Sequence, residues 1–156
     1  MFIRSVKVKR PKVLLGAAAG ILALLIILPL VLLAARGKGL VYEAGSEAKR
    51  QSFLKEMGWE TAKSYDEYRA VTIPEQWNEV YISYNKLQKK QGFDLTPYKG
   101  KIVEIYTYKI KNYPGHEGED GIRCNLMVYD GQLIGGDVCS TALDGFMQGL
   151  KMEKKK

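Results

Sequence analysis

The chain has 156 residues, 46% of them hydrophobic, with 24 Lys or Arg against 17 Asp or Glu and a formal net charge of +7. That excess resembles a nucleic-acid footprint, but residues 1–38 hold seven cations and no acid, while residues 39–156 hold 17 charges of each sign. The stretch long enough to fold is therefore neutral and lacks the basic face that phosphate binding requires, so nucleic acid is not an expected partner.

In chain order, residues 1–12 carry Arg4, Lys7, Lys9, Arg10 and Lys12, and Val13 to Ala35 follow as 23 residues without a charge. A helix of that length reaches about 34 Å, enough for a hydrocarbon core of about 30 Å. Cations gather on the cytoplasmic side of a span. The expectation is a single-pass signal anchor over 13–35 in the cell membrane, with the lipid bilayer as its first partner. Residues 1–12 then stay cytoplasmic and the rest is extracytoplasmic. A cleaved signal peptide has a shorter apolar region closed by small residues, and Leu33-Ala34-Ala35 puts a bulky residue where a small one is needed. Gly16 and Gly20 make a small-xxx-small pattern through which two spans could approach. Such residues are also simply common in spans.

Residues 36–45, with three glycines, read as a linker. Residues 46–150 suffice for one domain with one core. Ser46 is a suitable N-cap and Gly58 a suitable terminator for a first helix, whose Phe53, Leu54 and Met57 share a face onto which Trp59 folds back. Tyr68 to Ile73 is β-rich and stops at Pro74. Pro74 is expected to open a second helix, Glu75 to Gln91, closed by Gly92. Trp77, Val80, Tyr81, Tyr84 and Leu87 recur there at spacings of three and four, the signature of a core face; a ligand platform is the alternative.

Lys101 to Lys111 alternates as a strand, and Pro114 to Gly121 is a polar loop. Ile122 to Tyr129 is the next strand, with Ile122, Cys124, Leu126 and Val128 on one face and Arg123, Asn125 and Met127 on the other. Asp130-Gly131 is a two-residue hairpin turn into Gln132 to Val138. The fold class expected is α+β: a single transmembrane helix, then two helices packed on an antiparallel sheet of about four strands. Residues 151–156 form a Lys-rich tail.

The hairpin bears on the two cysteines. In a regular register Cys139 lies diagonal to Cys124, within marginal reach of a disulfide, and Asp137 turns toward the apolar face. A one-residue bulge at Gly135-Gly136 would instead turn Asp137 outward and take Cys139 off the face of Cys124.

Uncommon residues are densest from Gly135 through Asp137, Cys139 and Ser140 to Asp144. A thiol beside a carboxylate could be a nucleophile, but such chemistry usually needs a histidine, and the chain has only His116. A thiol-dependent enzyme using Cys139 with His116 and Asp137 is the catalytic alternative; the plainer one is a bulge, a structural cysteine and a solvated histidine, with no catalytic residue. His116, Glu117, Glu119 and Asp120 fit no established ligand spacing, so neither a metal nor another cofactor is expected.

Several runs form a recognisable pattern: Phe53-Leu54, Gly58-Trp59, Val71-x-Ile73-Pro74, Tyr84-Asn85-x-Leu87-Gln88, Gln91-Gly92-Phe93-Asp94-Leu95, Tyr98-x-Gly100, and Val128-Tyr129-x-Gly131-x-x-Ile134-Gly135-Gly136-Asp137-x-Cys139-Ser140. Together they resemble a family of small bacterial proteins, mostly from Firmicutes, catalogued as domain of unknown function forty-eight thirty. The resemblance covers residues 46–150. It implies an envelope location with the domain outside, and it brings no activity, cofactor or catalytic residue. In the family's pattern the Cys139 position belongs to the motif and the Cys124 position does not, which implies against a disulfide.

The function expected is a membrane-anchored extracytoplasmic binding or protein-interaction module without catalysis, serving an envelope protein or ligand. Its expected surface is Asp137, Cys139, Ser140 and Asp144. A sensor or scaffold dimerising through its span is a further alternative.

Overall fold

The structure, a computed structural model, describes residues 41–152. The expected span at 13–35 with Gly16 and Gly20, the basic segment 1–12, residues 36–40 and the end of the Lys-rich tail lie outside the described residues. Among those described, no helix is long and apolar enough to cross a membrane.

The elements are β1 (Tyr42–Glu43), α1 (Glu47–Glu56), β2 (Glu67–Thr72), α2 (Glu79–Lys90), a 3-10 turn (Thr96–Tyr98), β3 (Ile102–Lys109), β4 (Ile122–Tyr129), β5 (Gln132–Ser140) and β6 (Met147–Gln148). They build one antiparallel sheet in the order β1-β5-β4-β3-β2, with β6 also beside β5. The sheet has six strands rather than about four. The two additions span two residues each, too short to show a period, and β1 falls within the segment read as linker.

The first helix forms as its ends dictate. The Ser46 hydroxyl accepts from the Lys49 N–H, and Gly58 takes φ +97° beyond the last turn. The Gly58 and Trp59 N–H groups reach back to the carbonyls of Lys55 and Leu54 at 3.0 and 2.9 Å, a Schellman closure. It folds Trp59 inward, where the indole donates to the Leu150 carbonyl.

The second helix starts later than expected. Ile73 is committed to the sheet edge: its N–H bonds Lys101 and its carbonyl accepts from Gly100. No helix can open at Pro74 while that carbonyl is taken. Asn78 is the cap instead, its side chain accepting from the Tyr81 N–H at 3.1 Å, and Trp77 lies outside the helix.

Only part of the apolar stripe packs inward, which corrects the periodicity reading: Tyr84, and Trp77 just before the helix, rest on a buried cluster. Val80 is 72% exposed, and the buried residues of the helix are Asn85 and Gln88. Gln88 lays its amide against Gly136, donating to the carbonyl at 2.9 Å and accepting from the N–H at 2.9 Å. Gln91 donates to the same carbonyl at 3.0 Å and accepts from the Leu150 N–H at 2.6 Å. Asn85 accepts from the Leu95 N–H at 2.8 Å and donates to Asp94 at 3.0 Å. Spaced by three, these amides make a polar inward side. They also explain Gly135, where a Cβ would stand 2.9 Å from the Gln88 oxygen; at Gly136 a Cβ would instead meet the neighbouring strand, 2.4 Å from the Asn125 backbone carbonyl. The close approach that Gly135-Gly136 permits is used by the molecule's own helix.

Asp130 and Gly131 take φ 49° and 72°, the primed turn that matches strand twist. Beyond it, Val128 pairs with Leu133 but Met127 with Gly135, so Ile134 is an extra residue in β5. This bulge sets Cys124 opposite Val138, Asn125 opposite Asp137 and Arg123 opposite Cys139. Cys124 and Cys139 therefore face opposite sides of the sheet and both are free. The disulfide weighed from the sequence does not form.

Each face carries its own apolar cluster, not one core. On the first face Tyr108, Cys124, Leu126, Val128 and Val138 pack with Phe53 and Leu54 of α1, Trp59 and Leu150. On the second, Val103, Met127 and Ile134 pack with Ile73 and Leu95, joined by half-buried Val71, Tyr84 and Ile105.

Candidate functional site: an apolar cleft on the second sheet face

Anchored by Asn85, Gln88 and Gln91, α2 leaves part of the second face uncovered. Between them lies a cleft of about 860 Å³. Val80, Tyr81, Tyr84 and Leu87 line it from the helix. Val71, Ile105 and Met127 line it from the sheet, and Met147 of β6 closes one end. The stripe on α2 thus lines a cavity, which is the alternative its sequence left open.

Exposed Arg69, Glu79 and Ser83 contribute to the lining, and a second polar group lies deeper. Asn125 and Asp137 sit opposite one another on β4 and β5, with Tyr84 above them. The Tyr84 hydroxyl donates to Asp137 Oδ1 at 2.7 Å, and the Asn125 amide donates to Oδ2 at 3.1 Å. Thr107 donates to the Asn125 carbonyl oxygen at 2.8 Å, which orients the amide so that its nitrogen faces the acid. The same nitrogen lies 3.6 Å from Cys139 Sγ.

Burial dominates the electrostatics here. It pushes the Asp137 carboxyl above its ordinary range, while hydrogen bonds from Tyr84, Asn125 and Cys139 and the charge of Arg69 oppose the shift. Burial and then the Asp137 charge push the Tyr84 phenol well up, and the same two causes carry the Cys139 thiol to about 11. No cation among the described residues forms an ion pair with Asp137. Arg69 also lines the cleft but pairs with Glu67 at 3.3 Å.

The expected surface of Asp137, Cys139, Ser140 and Asp144 is not one surface. Asp137 and Cys139 come together, but Asp137 is only 3% exposed. Ser140 pairs with Ile122 and points to the first face, its hydroxyl accepting from the Ala142 N–H at 3.2 Å. Asp144 is exposed in the following turn.

His116 is likewise apart. Its Nδ1 lies 2.8 Å from Glu119, and its ring stands 5.7 Å from Tyr113 and 6.4 Å from Phe146, both packed against the first-face cluster. Cys139 faces the other side, so the Cys139–His116 pair does not form. The thiol is also shifted up, away from the thiolate that a nucleophile needs. Among the described residues no group of His, Cys, Asp or Glu is arranged to hold a metal ion.

Sequence reasoning reached Tyr84 only through the ligand-platform alternative for its stripe, and it missed Asn125 and Thr107 as site residues. The signal for Asn125 was available: strand alternation already put it on the face to which a bulge would send Asp137.

Residues 53–138 match the model of a family described as a domain of unknown function (DUF4830). No curated protein and no solved structure matches. The matched stretch contains all of Tyr84, Thr107, Asn125 and Asp137.

Proposed function

The chain belongs to the DUF4830 family, and we propose that it is a membrane-tethered binding module of the cell envelope that holds an apolar small molecule in the cleft under α2. The observation that carries this function is the cleft itself. Small-molecule sites are typically apolar concavities of about 300–1,000 Å³ with a few convergent polar groups, and this one has about 860 Å³ with Tyr84, Asn125 and Asp137 converging in it. Tethering is supported by the uncharged run at 13–35 behind its basic flank. A binding rather than catalytic role is supported by the thiol, whose shift disfavours the thiolate that nucleophilic chemistry uses.

The test is to purify the full chain and its Ile105→Trp variant from envelope membranes and compare the small molecules that come with each. Tryptophan at position 105 fills the cleft from the sheet side. An apolar compound retained by the native chain and lost from the variant is the expected result. Identical small-molecule content in the two, with both folded, would reject the cleft as the binding site. Orientation is checked separately with an impermeant thiol reagent on intact cells in a Cys139→Ser background. Ser64→Cys, on an exposed residue, should label and Ser5→Cys should not.

A further inference from the structure

We infer that the ligand of this cleft carries a single cationic amine or amidine head on an apolar body, and that Asp137 is its counterion. This rests on the cleft being the binding site and adds the chemistry of the head. Asp137 is 3% exposed and lines an apolar cavity. Its protein partners are neutral: a phenol, an amide and a thiol. None of them brings a positive charge, Arg69 acts only through its field, and a carboxylate retains acceptor capacity beyond these three donors. Buried charges are ordinarily paired. The molecule shows how it does this elsewhere: Arg50, equally buried, is met by Glu47 at 3.1 Å. Arg69 does not play that part for Asp137, being half exposed and bound to Glu67. A positive head entering from the cleft would supply a countercharge, and the Tyr81 and Tyr84 rings in the cleft lining favour a cation over an anion. An anionic head would meet Asp137 with like charge, which excludes carboxylates and phosphates as preferred heads.

The experiment uses the full chain in zwitterionic nanodiscs and three photoreactive probes. All have the same decyl diazirine body and end in an ammonium, a hydroxyl or a carboxylate. Labelled residues are mapped by mass spectrometry, and each probe's cleft labelling is divided by its labelling of lipid in the same sample to remove differences in partitioning. The ammonium probe should label Tyr81, Leu87 and Met127 about fivefold or more above the hydroxyl probe, the ratio that one partly buried charge pair supports. Asp137→Asn should erase that preference while leaving hydroxyl labelling in place. If Asp137→Asn does not fold, competition in the native chain decides: unlabelled decylammonium should suppress labelling at concentrations where decanol does not. Equal labelling by ammonium and hydroxyl probes, or a preference for the carboxylate, would overturn the cationic head and leave the cleft standing as a site. Absence of cleft labelling by all three would overturn the site as well.

Discussion

The two faces of this sheet each bury a charge, and they treat it in opposite ways. On the first face the Arg50 guanidinium donates to the Tyr108 hydroxyl at 2.9 Å, the Ala44 carbonyl at 2.8 Å and Glu47 at 3.1 Å, and lies over the Tyr106 ring at 3.6 Å. Each of its three nitrogens donates a hydrogen bond, and its countercharge is present. On the second face Asp137 has neutral donors only, and the cavity beside it is open. The lesson is that burial alone does not mark a functional charge. Arg50 is buried and finished, a structural element; Asp137 is buried and unfinished, and what is missing is a cation.

The largest expected effect tests the finished side. Arg50→Ala should destabilise the domain by about 3 kcal/mol in urea titrations, because it strands a buried hydroxyl and carbonyl and unpairs Glu47. A loss under about 1 kcal/mol would mean that Arg50 is no more than a surface charge and that the contrast between faces is empty. Next comes the anchor that keeps the cleft open. Gln88→Ala removes the partner of the Gly136 N–H and leaves its carbonyl to Gln91 alone, and should cost about 2 kcal/mol, with hydrogen exchange at Gly136 rising more than at Cys124. Uniform exchange across the strand would argue that α2 is held by other means.

Asp137→Asn should move stability by less than about 1 kcal/mol at neutral pH, far less than Arg50→Ala. Its pH dependence carries the sign. The folded-state pKa of Asp137 lies above its ordinary value, so the folded state binds the proton more tightly than the unfolded chain does. Stability from this group is present below the unfolded pKa of about 3.9 and declines as pH rises through the folded pKa. The difference between native and Asn proteins should therefore shift in favour of the variant across that interval. A shift in the reverse direction would show that Tyr84 and Asn125 stabilise the anion more than burial penalises it. The smallest perturbation uses the thiols. Cys139, at about 11, should react with a maleimide about a hundredfold more slowly than a free thiol of pKa about 8.5, and Cys124, sealed on the first face, only on unfolding. Equal rates for the two would break the distinction between a closed and an open face.

Much of this was legible in the residues, and the part that was not has a physical cause. Ser46, Gly58 and Trp59 announce the closure of α1, and Asp130-Gly131 fixes the hairpin. The glycines at 135 and 136 announce the bulge that separates the cysteines and moves Asp137 to the second face. The reading failed where polar side chains do the packing. Apolar periodicity assigns the inward side of α2 to Val80 and Tyr81, whereas Asn85, Gln88 and Gln91 hold it in place through hydrogen bonds to backbone that is distant in sequence. The spacing of three between these amides is helical, but polar residues at that spacing read as a solvated face. The same blindness hid the site, since Asn125 matters only because Thr107 orients it and Asp137 faces it.

Gln88 has a further consequence, for solubility rather than for binding. The outer edge of β5 is paired with β1 at Gln132 and Leu133 and with β6 at Val138 and Cys139, which leaves a gap around Gly136. A glutamine amide offers one donor and one acceptor, as a peptide group does, and Gln88 presents both to Gly136. It stands in for one residue of a missing strand. An unpaired stretch there would be a template for another chain to add to the sheet. With that stretch occupied by a side chain from its own helix, β5 offers intruding strands no continuous ladder, and self-association through this edge is suppressed.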